Sequence, residues 1–464
     1  MQTNPNDPML DRGKNLMVSI SGIRGVIPEG LDPVNIVQFS LAFASISGKK
    51  IVIGNDARPT GPILRHLLTG TLLACGKEII DIGLAPTPTV KAAVALNQAD
   101  AGVMISASHN PPEWNAFKFI GPGGFFFDHA QSAELIKAVQ ERRNPSVGYQ
   151  QMGHIAEKDG VWDHIRSVLS VIPNLDEIRK KQYKVVVDAV SGAGREALPK
   201  LLQELGCSVI PIFCEPTSDG SFPRPPEPTP SALQKFGDAV KKEKAAAGFA
   251  LDPDADRLVA GSPLRGTINE EYTLPLALMG LEKKIKSLNH PLIVLNQSTA
   301  DLTESVAVKF GAKVIRSAVG EANVVEMMRE KNAVYGGEGN GGVILPDVPS
   351  FGRDTLTGAA FILSAMAGRD AENLDELMDE LPDLYMKKAK MEIDSISVED
   401  VYANIKHLFS DSDEDTTDGL RITLKDGSWI HARPSNTEPI MRIIAQSPTE
   451  SKLKEILSKL SVSE

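Results

Sequence analysis

Short apolar, β-rich runs recur along the chain, separated by stretches in which apolar residues return every three or four positions. In the first third the runs fall at residues 16–20, 50–54, 78–82 and 101–105, with helical spacing at 34–46, 61–74 and 89–96. Strand, helix, strand repetition at these lengths predicts right-handed crossovers and a mainly parallel sheet. The pattern returns with strands expected at 183–187, 207–213 and 247–251 and a helix at 195–205 after the glycine turn 191–194. Residues 215–230 are too rich in proline for regular structure and read as an extended connection, followed by a charged helix face at 235–244. A third set places strands at 291–295, 312–315 and 333–336 and helices at 301–310, 322–331 and 353–366. The end of the chain differs. Strands at 387–393, 420–424 and 429–432 are close enough to pair as hairpins, with helices at 398–409 and 449–460, which predicts a small α+β unit. The expected organisation is α/β: units 1–148, 149–256 and 257–370 with mixed, mainly parallel sheets, then a smaller α+β unit at 371–464.

Composition narrows the function classes. With 464 residues, 42% hydrophobic and 23% charged, the chain is long enough for several buried cores. No apolar run approaches the ~18 residues needed to span a bilayer, and residues 1–14 are polar and proline-broken, unlike a secretory signal. Cys75, Cys207 and Cys214 lack metal-type spacing and read as reduced thiols of a cytoplasmic protein. The net charge of −11 is spread along the sequence, which argues against nucleic acid and anionic membrane as partners. It also means that an anionic ligand needs locally placed arginine, lysine, main-chain amides or a metal.

Four loops carry candidate chemistry. Residues 106–119 begin Ser106-Ala107-Ser108-His109-Asn110-Pro111-Pro112, directly after the apolar run 101–105. The prolines end any ladder, so Ser108 and His109 fall in a loop at the C-terminal end of a strand, where open α/β sheets bind ligands. Ser108 is a candidate nucleophile, with Lys118 as cation or base; the plain alternative is a turn capped by serine. Asp252-Pro253-Asp254-Ala255-Asp256-Arg257 sets carboxylates at alternate positions of an expected extended loop, able to converge on one hard cation such as Mg²⁺. Arg257 after them suits a phosphate, whereas a solvated acidic turn would need no cation. Residues 336–342 hold five glycines in seven, leaving Glu338 and Asn340 as the side chains able to read hydroxyl or amine groups. Arg433-Pro434-Ser435-Asn436-Thr437, with Arg442 beyond, offers a guanidinium fork and neutral donors to an oxyanion. Weaker signals of the same kind are Arg24 in Ser21-Gly22-Ile23-Arg24-Gly25 and the run Gly54-Asn55-Asp56-Ala57-Arg58-Pro59.

In order and spacing these four loops resemble those of the α-D-phosphohexomutase superfamily. The resemblance implies three related α/β domains and a smaller fourth around a central cleft, in a monomer or homodimer. It implies an intramolecular phosphotransferase acting on small hexose phosphates. Ser108 would be the phosphoserine, and Mg²⁺ would be held by that phosphate with Asp252, Asp254 and Asp256. Arg24, His109, Lys118 and Arg257 would serve the transfer, and Arg433, Ser435, Asn436, Thr437 and Arg442 the phosphate that is not transferring. A hexose 1,6-bisphosphate would be intermediate and activator. Glucose- and mannose-type members often place methionine-serine-glycine-histidine after the sugar-loop glutamate. Here Gly339-Asn340-Gly341-Gly342 follows Glu338, and Val319-Gly320-Glu321 puts glutamate where several relatives have a second histidine. That departure points toward glucosamine phosphates, with mannose or glucose phosphates as the alternative. A non-catalytic sugar-phosphate binder would be expected to have lost Ser108 or an aspartate, and none is lost.

Overall fold

The computed structural model describes residues 15–19, 22–393, 397–434 and 440–460. It divides into two compact units, Met1–Leu281 with Gly341–Leu377, and Glu282–Asn340 with Met378–Glu464.

The first unit carries a seven-stranded sheet in the order Leu16–Ser19, Gly22–Val26, Trp114–Ile120, Ala101–Ile105, Lys50–Asn55, Glu78–Leu84, His154–Glu157. From Ala101–Ile105 onward the pairs are parallel; before it they are antiparallel. The two-residue side-chain period explains why the inner strands read as continuous apolar runs. Ile51, Ile53, Val103, Ile105, Phe117 and Phe119 join one core with Phe39 and Phe43 of the helix Pro33–Ile46. Val52, Met104 and Ile120 face the opposite core with Val90 and Val94 of the helix Thr87–Leu96. Because Phe117 and Phe119 are committed to the first core, Lys118 between them is turned to the other face.

A second, five-stranded sheet runs Gly266–Thr267, Leu258–Ser262, Ala247–Leu251, Lys184–Asp188, Ser208–Ile212. Its last three strands are parallel, while Leu258–Ser262 folds back antiparallel on Ala247–Leu251. Asp252–Arg257 is therefore a hairpin connection inside one sheet, and the boundary expected at 256/257 falls within that hairpin. The helix Thr355–Gly368 is apolar on every face and correspondingly buried over its first twelve residues, with Asp354 capping its amide ends.

The second unit holds the parallel strands Lys313–Ser317, Leu292–Asn296 and Tyr335–Glu338. It also holds a wholly antiparallel sheet, Tyr385–Glu392, Ile440–Ser447, Trp429–Pro434, Leu420–Leu424, Ser412–Asp415. The helices Val398–Leu408 and Glu450–Lys459 pack on it through Val401, Ile405, Leu453 and Ile456. Several elements depart from the sequence expectation. Gly22–Val26, to which the sequence assigned no element, is a strand, with Ile23 drawn into the core while the backbone pairs on both sides. Ile440–Ser447, to which the sequence assigned no element, is an interior strand, so Arg442 lies on a strand and is exposed. Residues 215–230 form no helix or strand, as their prolines required. All three cysteines are free thiols.

Candidate active site

The strand Ala101–Ile105 ends in Ser106, and the next turn carries Ser108 at φ +51. The two serines have different fates. Ser106 is fully buried, its hydroxyl donating to Asp56 Oδ2 at 2.6 Å while accepting from the Ser108 main-chain N–H at 2.9 Å. Ser108 Oγ points out of that network, 3.2 Å from Asp252 Oδ2 and 3.4 Å from His109 Nδ1. Asp56 and Arg58, expected as a further anion approach, instead hold this loop from within. The reason is burial: Arg58 is 1% exposed, and its guanidinium is spent on Asp56 and on main-chain carbonyls of the loop.

The three aspartates do converge, through a turn and not through an extended segment, because Ala255 takes φ +54. One carboxylate oxygen from each of Asp252, Asp254 and Asp256 lies within 4.8 Å of the others, and all three residues are buried. Gly192 makes room for the loop: a Cβ there would stand 2.5 Å from the Pro253 carbonyl, which instead accepts from Ala193 N–H at 2.7 Å. Each aspartate has its own partners. Asp252 Oδ1 accepts the Asp256 and Arg257 N–H groups at 3.1 and 3.2 Å. Asp254 Oδ2 accepts Lys118 Nζ at 2.6 Å and the Thr87 hydroxyl at 2.5 Å. Asp256 Oδ2 accepts Arg353 at 2.5 Å. Asp254 Oδ1 and Asp256 Oδ1 are buried with no hydrogen-bond partner. Two orphaned carboxylate oxygens beside a third, all oxygen donors and all buried, fit a hard divalent cation such as Mg²⁺.

Electrostatics follow from burial. Burial, then Asp256 and Asp254, push the Asp252 carboxyl well above its ordinary range. Burial acts the same way on Asp254, but Lys118, as charge and as hydrogen-bond donor, and Thr87 outweigh it and hold that carboxyl below the usual range. Burial, with Arg257 and Arg24 beside it, lowers the His109 imidazole to about 3, so it is neutral at physiological pH. Arg24 donates to Asn110 Oδ1 at 2.5 Å. Arg257 reaches Glu227 at 3.2 Å, and its Nε is buried without a hydrogen bond.

In the second unit Glu338 ends the strand Tyr335–Glu338, so the glycine-rich stretch begins as a strand and passes into a turn. Glu338 is 3% exposed, and its carboxylate accepts Asn296 Nδ2 at 2.8 Å and Gly320 N–H at 2.9 Å. Asn340 Oδ1 is buried without a partner. Arg433 Nε stands 3.6 Å from Asp418 Oδ2 and is the cross-strand neighbour of Arg442. Ser435, Asn436 and Thr437 lie outside the described residues.

Sequence reasoning missed Thr87, Arg353 and Arg224. Arg224, in the proline-rich connection, pairs with buried Asp188 at 2.9 Å and donates to the Leu251 carbonyl at 2.6 Å, bracing the strand that delivers Asp252. A lone arginine between Pro223 and Pro225 was its only signal. Among the described residues no helix is long and apolar enough to cross a membrane.

Models of four domains match in chain order: phosphoglucomutase/phosphomannomutase alpha/beta/alpha domain I over residues 16–146, domain II over 162–263, domain III over 269–385 and the C-terminal domain over 371–461. A phosphoglucomutase/phosphomannomutase of Thermococcus kodakarensis is 34% identical, the alignment covering 94% of this chain and 95% of that one. A protein of Pyrococcus abyssi named "Probable phosphoglucosamine mutase" is 32% identical over 95% of both. The crystal structure of a phosphoglucomutase/phosphomannomutase family protein from Burkholderia thailandensis superposes with a TM-score of 0.81 at 25% identity, covering 96% of this chain and 97% of that one.

Proposed function

The chain belongs to the phosphoglucomutase/phosphomannomutase family and is a phosphohexomutase, an isomerase, and on that basis we propose that it interconverts the 6- and 1-phosphates of glucosamine through phosphorylated Ser108. The observation that carries the reading is the Ser108 hydroxyl aimed at Asp252, 3.2 Å away, beside two buried carboxylate oxygens without hydrogen-bond partners. In the first half-reaction the phosphoryl group leaves Ser108 Oγ for the free hydroxyl of the hexose phosphate. The Ser–O–P bond breaks, the sugar O–P bond forms, and the hydroxyl proton passes to the protein. The bisphosphate then turns and returns its other phosphoryl group to Ser108. A hexose 1,6-bisphosphate is thus intermediate and priming agent together.

Phosphoryl transfer asks the protein chiefly for positioning and charge. Asp252, Asp254 and Asp256, with the Ser108 phosphate, would hold Mg²⁺, which would supply charge neutralisation at the transferring group. Lys118, Arg24 and Arg257 add fixed positive charge, which neutral His109 does not. Arg433, with Ser435, Asn436, Thr437 and Arg442, is assigned the phosphate that is not transferring.

Glucosamine is favoured by the carboxylate of Glu338, oriented by Asn296 and the Gly320 amide, which suits an ammonium group. The relative from Pyrococcus abyssi carries a glucosamine name. The glucose and mannose phosphates are the second reading, supported by the name of the Thermococcus kodakarensis relative. The test is conversion of each 1-phosphate to its 6-phosphate with traces of bisphosphate, together with phosphopeptide mapping. Phosphate on Ser108, no release of inorganic phosphate, and loss of nearly all turnover in Ser108→Ala are expected. Full activity of that variant would end the reading.

A further inference from the structure

Resting on the reading that Ser108 carries the phosphoryl group, we propose that Asp56, Arg58 and Ser106 are positioning residues, holding Ser108 in the left-handed conformation that aims its hydroxyl at Asp252. A serine at φ +51 is not at its own backbone minimum and persists only where its surroundings over-determine it. Both peptide groups flanking it are fastened. Its N–H donates to Ser106 Oγ at 2.9 Å, and its carbonyl accepts from Arg58 at 2.6 Å. The same guanidinium also donates to the carbonyls of Asn110 at 2.7 Å, Pro111 at 2.6 Å and Trp114 at 3.0 Å. Asp56 Oδ2 joins the two arms, accepting Ser106 Oγ at 2.6 Å and Arg58 Nε at 3.1 Å, while Oδ1 accepts the Arg58 N–H at 3.0 Å. Asp56 is itself fixed by its N–H on the Ile105 carbonyl, at the end of the strand that launches the loop.

No atom of this assembly is left for substrate. The Asp56 and Arg58 side chains are inaccessible to solvent and Ser106 is fully buried. Its geometry does more than close a turn. One ion pair sets the orientation of the peptide groups before and after a single reactive side chain, at the point where that side chain must alternately give up and recover a phosphoryl group. A misplacement of about 1 Å at such a centre costs on the order of 100-fold in rate.

Ser106→Ala removes the hydroxyl that accepts from Ser108 N–H and donates to Asp56, and leaves every Arg58 bond in place. Arg58→Lys keeps the charge and loses the fork. Both are compared with wild type for kcat, KM, melting temperature, and the single-turnover rate at which glucose 1,6-bisphosphate loads phosphate onto Ser108. The expected result is a fall in kcat and loading rate on the order of 10–100-fold, with KM changed less than about twofold and the double variant no worse than the more damaged single one, since the residues act as a unit. If Arg58→Lys does not fold, Ser106→Ala alone decides. Wild-type kcat and loading in folded Ser106→Ala would overturn the clamp while leaving the mutase intact. A wild-type protein that takes no phosphate on Ser108 would instead remove the mutase reading, and with it the transfer that the clamp serves.

Discussion

Asp252→Asn is expected to raise stability without metal and abolish activity with it. Of the three converging carboxylates, Asp254 is hydrogen-bonded to Lys118 and Asp256 to Arg353, whereas the hydrogen bonds of Asp252 come from a hydroxyl and two main-chain N–H groups. Like charges within 4.8 Å of one another at an effective dielectric of 20 repel by about 3.5 kcal/mol when both are ionised, and Asp252 faces two such neighbours, which after burial are what push its carboxyl up. An asparagine preserves the Oδ1 acceptor for both N–H groups and presents an amide to the Ser108 hydroxyl, so the loss is confined to charge assistance of about 1 kcal/mol per bond. After the attraction of Arg257 and the more distant cations is subtracted, a net gain of roughly 1–3 kcal/mol remains, a few degrees in melting temperature. Thermal melts in EDTA and in Mg²⁺ read both effects. Wild type should gain stability from Mg²⁺ in proportion to the logarithm of its concentration; the variant should start higher, gain less and turn over no substrate. A variant that melts lower than wild type in EDTA, or that keeps the wild-type Mg²⁺ shift, would refute the view of these residues as a charge cluster built for a cation.

Glu338→Gln should lower turnover of glucosamine phosphate ~10²-fold or more relative to glucose phosphate, because a buried group built to meet a substrate charge discriminates strongly once the charge is removed; an equal loss on both sugars in a paired kcat/KM comparison would count against the assignment. In the second unit His431 is pushed below its ordinary range by burial, its Nε2 donating to the Asp418 carbonyl at 2.6 Å and its Nδ1 accepting from Ser298 at 2.9 Å. Its folded value lies below its unfolded one, so its contribution is complete above about pH 6.5 and is lost as pH falls toward the folded value. Urea titrations at pH 7.5 and 5.5 should show a steeper loss in wild type than in His431→Gln, and parallel losses would dismiss the effect.

What the sequence disclosed and what it withheld divide along one physical line. Ser108, Asp252, Asp254 and Asp256 were legible as candidates because reactive side chains at close spacing show in one dimension, and prolines and glycines mark the turns that bring them together. The alternating strands and helices were legible because burial on both faces of a sheet leaves continuous apolar runs such as 101–105. Gly22–Val26, Trp114–Ile120 and Ile440–Ser447 were not, because each mixes apolar residues with a charge that faces a site or solvent, and a strand with one functional face loses the pattern that identifies it. The residues that hold the site were hidden for a further reason. Arg58 and Arg224 act on main-chain carbonyls, which every residue has, so nothing at the recipient end of the bond marks the sequence. Thr87 and Arg353 reach their aspartates across 167 and 97 positions, respectively. A cation in a loop is therefore ambiguous in one dimension. Its surroundings decide whether it waits for an anion or is already consumed in holding the backbone. Arg58 shows how completely the second can hold: the guanidinium that resembled a ligand-binding group spends its donors on fixing where Ser108 points.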